Sequence, residues 1–167
     1  VYTEGERGIL LDPLSMEGFK KIPETITKDI VIIVPGIMGS TIANNNEEQW
    51  VDMPEINRGA IVNKLSINAK KVEASGIIKK YYYGLAEHLS EKYDVLTFQF
   101  DWRKSVKDAA QDLKNQLEDY LQTSSAKIHI VAHSMGGLVV RQCMIDYENT
   151  WSKFKENVHN RFIMLGT

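Results

Sequence analysis

Ile128-His129-Ile130-Val131-Ala132-His133-Ser134-Met135-Gly136-Gly137-Leu138 is the stretch on which the fold of this chain turns. Lys127 to Ala132 reads as a strand and Met135 to about Tyr147 as a helix, so Ser134 sits on the turn between them. The spacing is that of G-x-S-x-G, with Ala132 in place of the first glycine. A serine on so tight a turn takes a strained backbone, which only small residues two places to either side accommodate. In return its hydroxyl stands clear of the sheet. The helix behind it begins with free N–H groups aimed at the place where an oxyanion would form. Ala is the smallest departure from Gly and leaves the turn intact, and Gly136 fills the other small position. The alternative is an ordinary strand–helix turn that happens to contain a serine; the flanking elements and Gly136-Gly137 weigh against it. Ser134 is therefore read as a catalytic nucleophile.

Further strands lie on either side. Ile30-Val31-Ile32-Ile33-Val34 is a β-branched run too short for a helix, the mark of a strand buried on both faces in a parallel sheet. Tyr93 to Phe100 and Phe162 to Leu165 read as two more strands. From Ile77, the apolar positions Ile78, Tyr82, Leu85 and Leu89 fall at helical spacing to about Lys92. Ser105 with Asp108 makes a capping-box-like start to another helix, whose stripe is Val106, Ala109, Ala110, Leu113, Leu117, Tyr120 and Leu121. Four strands joined by crossovers predict an α/β fold with a mostly parallel sheet. Ligands then bind beyond the carboxyl ends of the strands, after Val34, Phe100, Ala132 and Leu165.

After the first of these strands comes Pro35-Gly36-Ile37-Met38-Gly39-Ser40. An acyl-transfer enzyme needs a second backbone donor from this junction, and glycines let the backbone approach the substrate. The expected oxyanion donors are the N–H groups of Ile37 and Met135, with Gly36, Gly39, Ala132 and Gly136 supporting the turns. An ordinary Pro-Gly turn is the plainer reading. Residues 1–28, with breakers at Asp12-Pro13 and Ile22-Pro23, read as a linker or approach segment. Ser40 to Glu73 is polar and poorly patterned, so residues 40–76 are expected to form a loop that acts as a lid, as a wall of an acyl site, or as mere decoration.

Composition excludes several classes. The net charge of −2 over 167 residues leaves no footprint for nucleic acid. No run approaches the ~18 apolar residues of a membrane span. Cys143 is the one cysteine, so no internal disulfide forms, and it reads as a small buried residue. No metal or cofactor is expected. The chain opens at Val1 rather than Met, which reads as a processed product or an excised piece, and the compartment stays open.

Four blocks now fall in order: Pro35-Gly36-Ile37-Met38-Gly39-Ser40, Phe100-Asp101-Trp102-Arg103, Ala132-His133-Ser134-Met135-Gly136-Gly137 and Leu165-Gly166-Thr167. Together they resemble the lecithin:cholesterol acyltransferase-like family from about Ile30 to the last residue. The resemblance implies an α/β-hydrolase fold, a Ser-Asp-His triad and acyl transfer from a lipid-like ester to water or an alcohol. In the family a proline follows the last block. The disulfides of the animal enzymes have no counterpart here, which favours a plainer esterase or lipase. The expected partners are an acyl ester, with peripheral contact to a membrane or micelle.

In this fold the triad acid follows the serine in the chain, so Asp101 is read as pairing with Arg103 to brace the turn. His133 points away from its neighbour and reads as packing or support. Tyr81-Tyr82-Tyr83 reads as an aromatic cluster with Tyr82 inward. Of the four histidines, His159 alone follows Ser134, and it precedes the last strand, about 15 Å from the carboxyl edge. His129 lies down its own strand and His88 on a helix. Residues 29–167 thus read as the N-terminal half of a hydrolase domain, cut after the strand that follows the nucleophile helix. Such a chain is expected to be inactive alone and to associate, through that strand, with the missing half or with itself. The rival reading is a non-catalytic interaction module built on a truncated hydrolase.

Overall fold

The computed structural model describes residues 16–44, 47–51, 57, 59, 65–68 and 71–167. In chain order the strands are β1 (Gly18–Phe19), β2 (Ile30–Val34), β3 (Ser40–Asn44), β4 (Glu47–Trp50), β5 (Val72–Ile78), β6 (Asp94–Thr97), β7 (Ile128–His133) and β8 (Arg161–Leu165). The helices are α1 (Lys79–Ser90), α2 (Val106–Thr123), α3 (Met135–Asp146) and α4 (Glu148–Glu156).

Every residue of β2 is buried, because it lies inside the parallel sheet β6-β2-β7-β8 with helices on both faces. Ile30, Ile32 and Val34 turn to one face and pack with Leu113, Leu117, Val140 and Phe154. Val31 and Ile33 turn to the other and pack with Tyr82 and Ala86. This period-2 division of a wholly apolar run is what a doubly covered sheet requires. In register, Val34 pairs with Ala132 and His133 with Leu165, so β2, β7 and β8 finish side by side. The predicted cap of α2 is present: Ser105 Oγ accepts the Asp108 N–H at 3.2 Å.

The polar stretch after Gly39 corrects one expectation. Ser40–Asn44 and Val72–Ile78 are strands, not loop, and with β1 and β4 they form an antiparallel sheet in the order β1-β5-β3-β4. Ser40-Thr41-Ile42-Ala43-Asn44 is too short and polar to declare itself; its partner thirty residues on supplies the pairing. Ile77 and Ile78 are likewise strand rather than helix. They match the helical spacing, but Ile77 pairs with Ser40 and Phe19, and Ile78 pairs with Gly18. A further helix, α4, fills the segment after Tyr147 for which no element was expected, and it buries Thr150, Trp151 and Phe154.

The approach segment is docked from β1 onward. Lys21 and Thr97 exchange hydrogen bonds, and the N–H groups of Lys28 and Thr27 donate to the Asp94 carboxylate. Those two donors hold the Asp94 carboxyl below its ordinary range. Asp12-Pro13 and most of the expected lid between β4 and β5 lie outside the described residues.

Candidate active site

Ser134 has φ 49° and ψ −124°, a conformation that side-chain-bearing residues rarely adopt. It costs about 1–3 kcal/mol and persists only where the surroundings impose it. They do so here. The Ser134 N–H donates to Leu165 O at 2.9 Å, and Ser134 O accepts the Gly137 N–H at 3.0 Å. Ala132 is fully buried. A Cβ on Gly136 would collide with the Pro35 carbonyl oxygen and lie 2.7 Å from that of Val34. The small residue after the serine is thus demanded by packing of α3 onto the end of β2, as well as by the turn. Met135 opens α3, so its N–H belongs to the first turn, for which the helix supplies no carbonyl.

The loop after β2 lies against this turn. A Cβ on Gly36 would stand 3.0 Å from Ser134 Cβ and 3.1 Å from His133 Nδ1. The Gly39 N–H donates to Gly36 O at 3.0 Å, closing a tight turn over Ile37 and Met38, the latter at φ 57°. Each end of the loop has its own anchor. At the start, the Gly36 N–H donates to Tyr82 Oη at 2.9 Å. At the far end, Trp50 Nε1 donates to Met38 O, Trp102 Nε1 donates to Ser40 O, and Ser40 Oγ accepts the Phe100 N–H. The sequence singled out the glycines but not Trp50 or the Tyr82 hydroxyl. The inward Tyr82 was a signal, since a buried tyrosine needs a partner for its O–H.

Asp101 and Arg103 are paired as expected, in a two-pronged contact of 2.8 and 2.6 Å, with side chains 8% and 7% exposed. The bracing is elsewhere than expected: among the described residues, Arg103 also donates to Ser66 O, and it makes no bond to the Ser134 turn. Burial pushes the Asp101 carboxyl up, but the Arg103 hydrogen bonds and charge outweigh it and hold it below its usual value. Asp101→Asn would remove the carboxylate paired with buried Arg103, and is expected to lower unfolding free energy by about 3 kcal/mol. A depressed carboxyl contributes stability above its unfolded value, near pH 4, and loses it as pH falls through the lower folded value. Urea unfolding at neutral pH and at pH 3 checks both; equal midpoints for parent and variant at neutral pH would contradict the assignment.

The four histidines are all described. His133 is exposed, with Nδ1 3.0 Å from Tyr82 Oη. His129 is half-buried down β7 against Tyr93, and burial lowers its pKa. His88 and His159 are exposed, on α1 and before β8. Cys143 is buried in α3, and burial pushes its thiol up to about 11. Among the described residues no group of three or more His, Cys, Asp or Glu is placed to hold a metal ion. None of the described helices is long and apolar enough to cross a membrane.

A cavity of about 570 Å³ adjoins the site, lined by Ile37, Met38, Trp50, Tyr82, Leu85 and His133 among others. Ser134 does not line it, but His133 beside it does, as does Leu165, whose carbonyl takes the Ser134 N–H. The lining is largely apolar, the character of a site for hydrocarbon rather than for a charged group.

A parallel sheet covered on both faces, with a strand–serine–helix turn at its carboxyl edge, is the framework of an α/β-hydrolase. Residues 39–167, well over half of the chain, match the model of the lecithin:cholesterol acyltransferase family, and the chain belongs to that family. At the level of the family this is an acyltransferase- or lipase-like protein of lipid metabolism. A comparison with curated proteins gave no match.

Proposed function

We propose that Ser134 is the nucleophile of a serine-dependent hydrolase or acyltransferase acting on lipid-like esters. The observation that carries this reading is the positive φ of Ser134 on the turn between β7 and α3. Ser134 Oγ attacks the acyl carbonyl while a histidine takes its proton. The tetrahedral oxyanion is held by the N–H groups of Ile37 and Met135. The alcohol leaves with that proton, and water or an acceptor alcohol then releases the acyl group from Ser134. The apolar cavity takes the acyl chain, and exposed Ile37 and Met38 at its lining meet a membrane or micelle surface.

In this reading the base and its carboxylate are supplied by further strands. None of the four histidines is in position: His133 turns Nδ1 to Tyr82, and the other three lie on α1, down β7 or before β8. β8 is where the supplying strands would pair, since Ile163, Met164 and Leu165 are exposed on a strand at the edge of the parallel sheet. The same missing base supports a second reading, a non-catalytic interaction module. Labelling of the full-length protein with an organophosphorus ester separates the two. A Ser134 adduct that disappears in Ser134→Ala supports the enzyme; no adduct on any serine supports the module.

The oxyanion assignment has its own test in Gly36→Val. The new side chain would press on Ser134 and His133 and displace the loop, so the Ile37 donor would be lost from its place. The expected rise in the barrier is about 3 kcal/mol, the worth of one such donor. Met135→Leu, which leaves the backbone N–H in place, should cost little. Esterase rates per folded molecule decide it, and full activity in Gly36→Val would reject the assignment.

A further inference from the structure

Tyr82 is 6% exposed, and the chemistry proposed above makes no use of its hydroxyl. That oxygen is nevertheless where three elements meet. The Gly36 N–H donates to it at 2.9 Å, His133 Nδ1 lies 3.0 Å from it, and a Cβ on Gly39 would come within 2.8 Å of it. Oη accepts the Gly36 N–H and still has its own proton and a second lone pair with which to share a hydrogen bond with His133 Nδ1. Burial raises the Tyr82 pKa and keeps that proton on the oxygen.

The two bonded positions stand one residue ahead of the two that matter. Gly36 precedes Ile37, the loop donor; His133 precedes Ser134. Trp50, Trp102 and Phe100 hold the far end of the loop at Met38 and Ser40, and none of these three bonds reaches its start at Gly36. The Tyr82 hydroxyl ties that start to the turn. We propose that Tyr82, resting on the reading of Ser134 as nucleophile, is a positioning residue whose hydroxyl fixes the oxyanion loop against the nucleophile turn.

The test uses the full-length protein, p-nitrophenyl ester kinetics, and titration of reactive Ser134 with an organophosphorus ester so that rates refer to folded sites. Tyr82→Phe keeps the ring and its edge-on packing on His133, and removes only the oxygen. Its kcat per titrated serine should fall roughly 10- to 100-fold, as misplaced reacting groups do. KM should stay within about twofold, because the interaction lost is felt in the transition state. His133→Phe, which removes the Nδ1 partner, should lose a similar factor, and the double variant should be no worse than either single one. Parental kcat in Tyr82→Phe, a change confined to KM, or losses that multiply in the double variant would each overturn the proposal. A parent protein with no titratable Ser134 would overturn the nucleophile reading itself. That outcome is distinct, because it is seen before any variant is made.

Discussion

Ser134→Ala is expected to lower ester turnover by the full-length protein roughly 10⁴-fold or more, the scale on which serine hydrolases lose activity without their nucleophile. The fold should survive, because the side chain makes none of the bonds that hold the turn. Those bonds run through the Ser134 N–H and C=O, to Leu165 and Gly137. Ser134→Gly sharpens the result. It would be as inactive as the alanine variant, yet at φ 49° glycine escapes the strain that serine bears. The relief of ~1–3 kcal/mol exceeds the entropic penalty of a glycine, so a net gain of about 1 kcal/mol is expected. A variant that is more stable but dead is the signature of strain held for function. Kinetics with a p-nitrophenyl ester and urea unfolding give both numbers. Retained turnover in either variant would remove Ser134 from the chemistry.

The second large effect is on stability. Gly136→Ala adds one carbon where two backbone carbonyls of the Val34–Pro35 segment already stand, and backbone cannot swing aside as a side chain can. The expected loss is at least about 3 kcal/mol, at the upper end of overpacking. Because the helix bearing Met135 would be pushed from the end of β2, activity should fall with it. Gly84→Ala is the matched control: Gly84 is exposed in α1 with open space around it. There the same change should stabilise by roughly 0.5–1 kcal/mol, the ordinary helix preference for alanine. If Gly136→Ala behaves like Gly84→Ala, the close packing of α3 on β2 is not the constraint described here.

Most of the parallel sheet was legible in the chain. Ile30–Val34 declares itself because a strand covered on both faces must be apolar throughout, and the serine turn between β7 and α3 has a spacing that little else requires. The antiparallel sheet was not legible. Ser40–Asn44 and Val72–Ile78 pair across some thirty residues, and half-polar strands held by remote partners carry no local signal. Ile77 and Ile78 misled because two residues fit a helical and an extended pattern equally well. At the site, the glycines could be named from spacing, but the reason for each is a tertiary contact: Ser134 for Gly36, the Pro35 carbonyl for Gly136. The Tyr82 hydroxyl was hidden for the same reason, since what it bonds lies forty-six residues before it and fifty-one after it.

The central claim is that Ser134 carries the acyl group between donor and acceptor. Rapid acid quenching of the full-length protein with a p-nitrophenyl ester, followed by peptide mass mapping, reads this directly. The account predicts an acyl adduct on the peptide bearing Ser134, formed no more slowly than turnover and discharged when an acceptor alcohol is added. Turnover with no adduct on that peptide, or with an adduct on another residue, would contradict it.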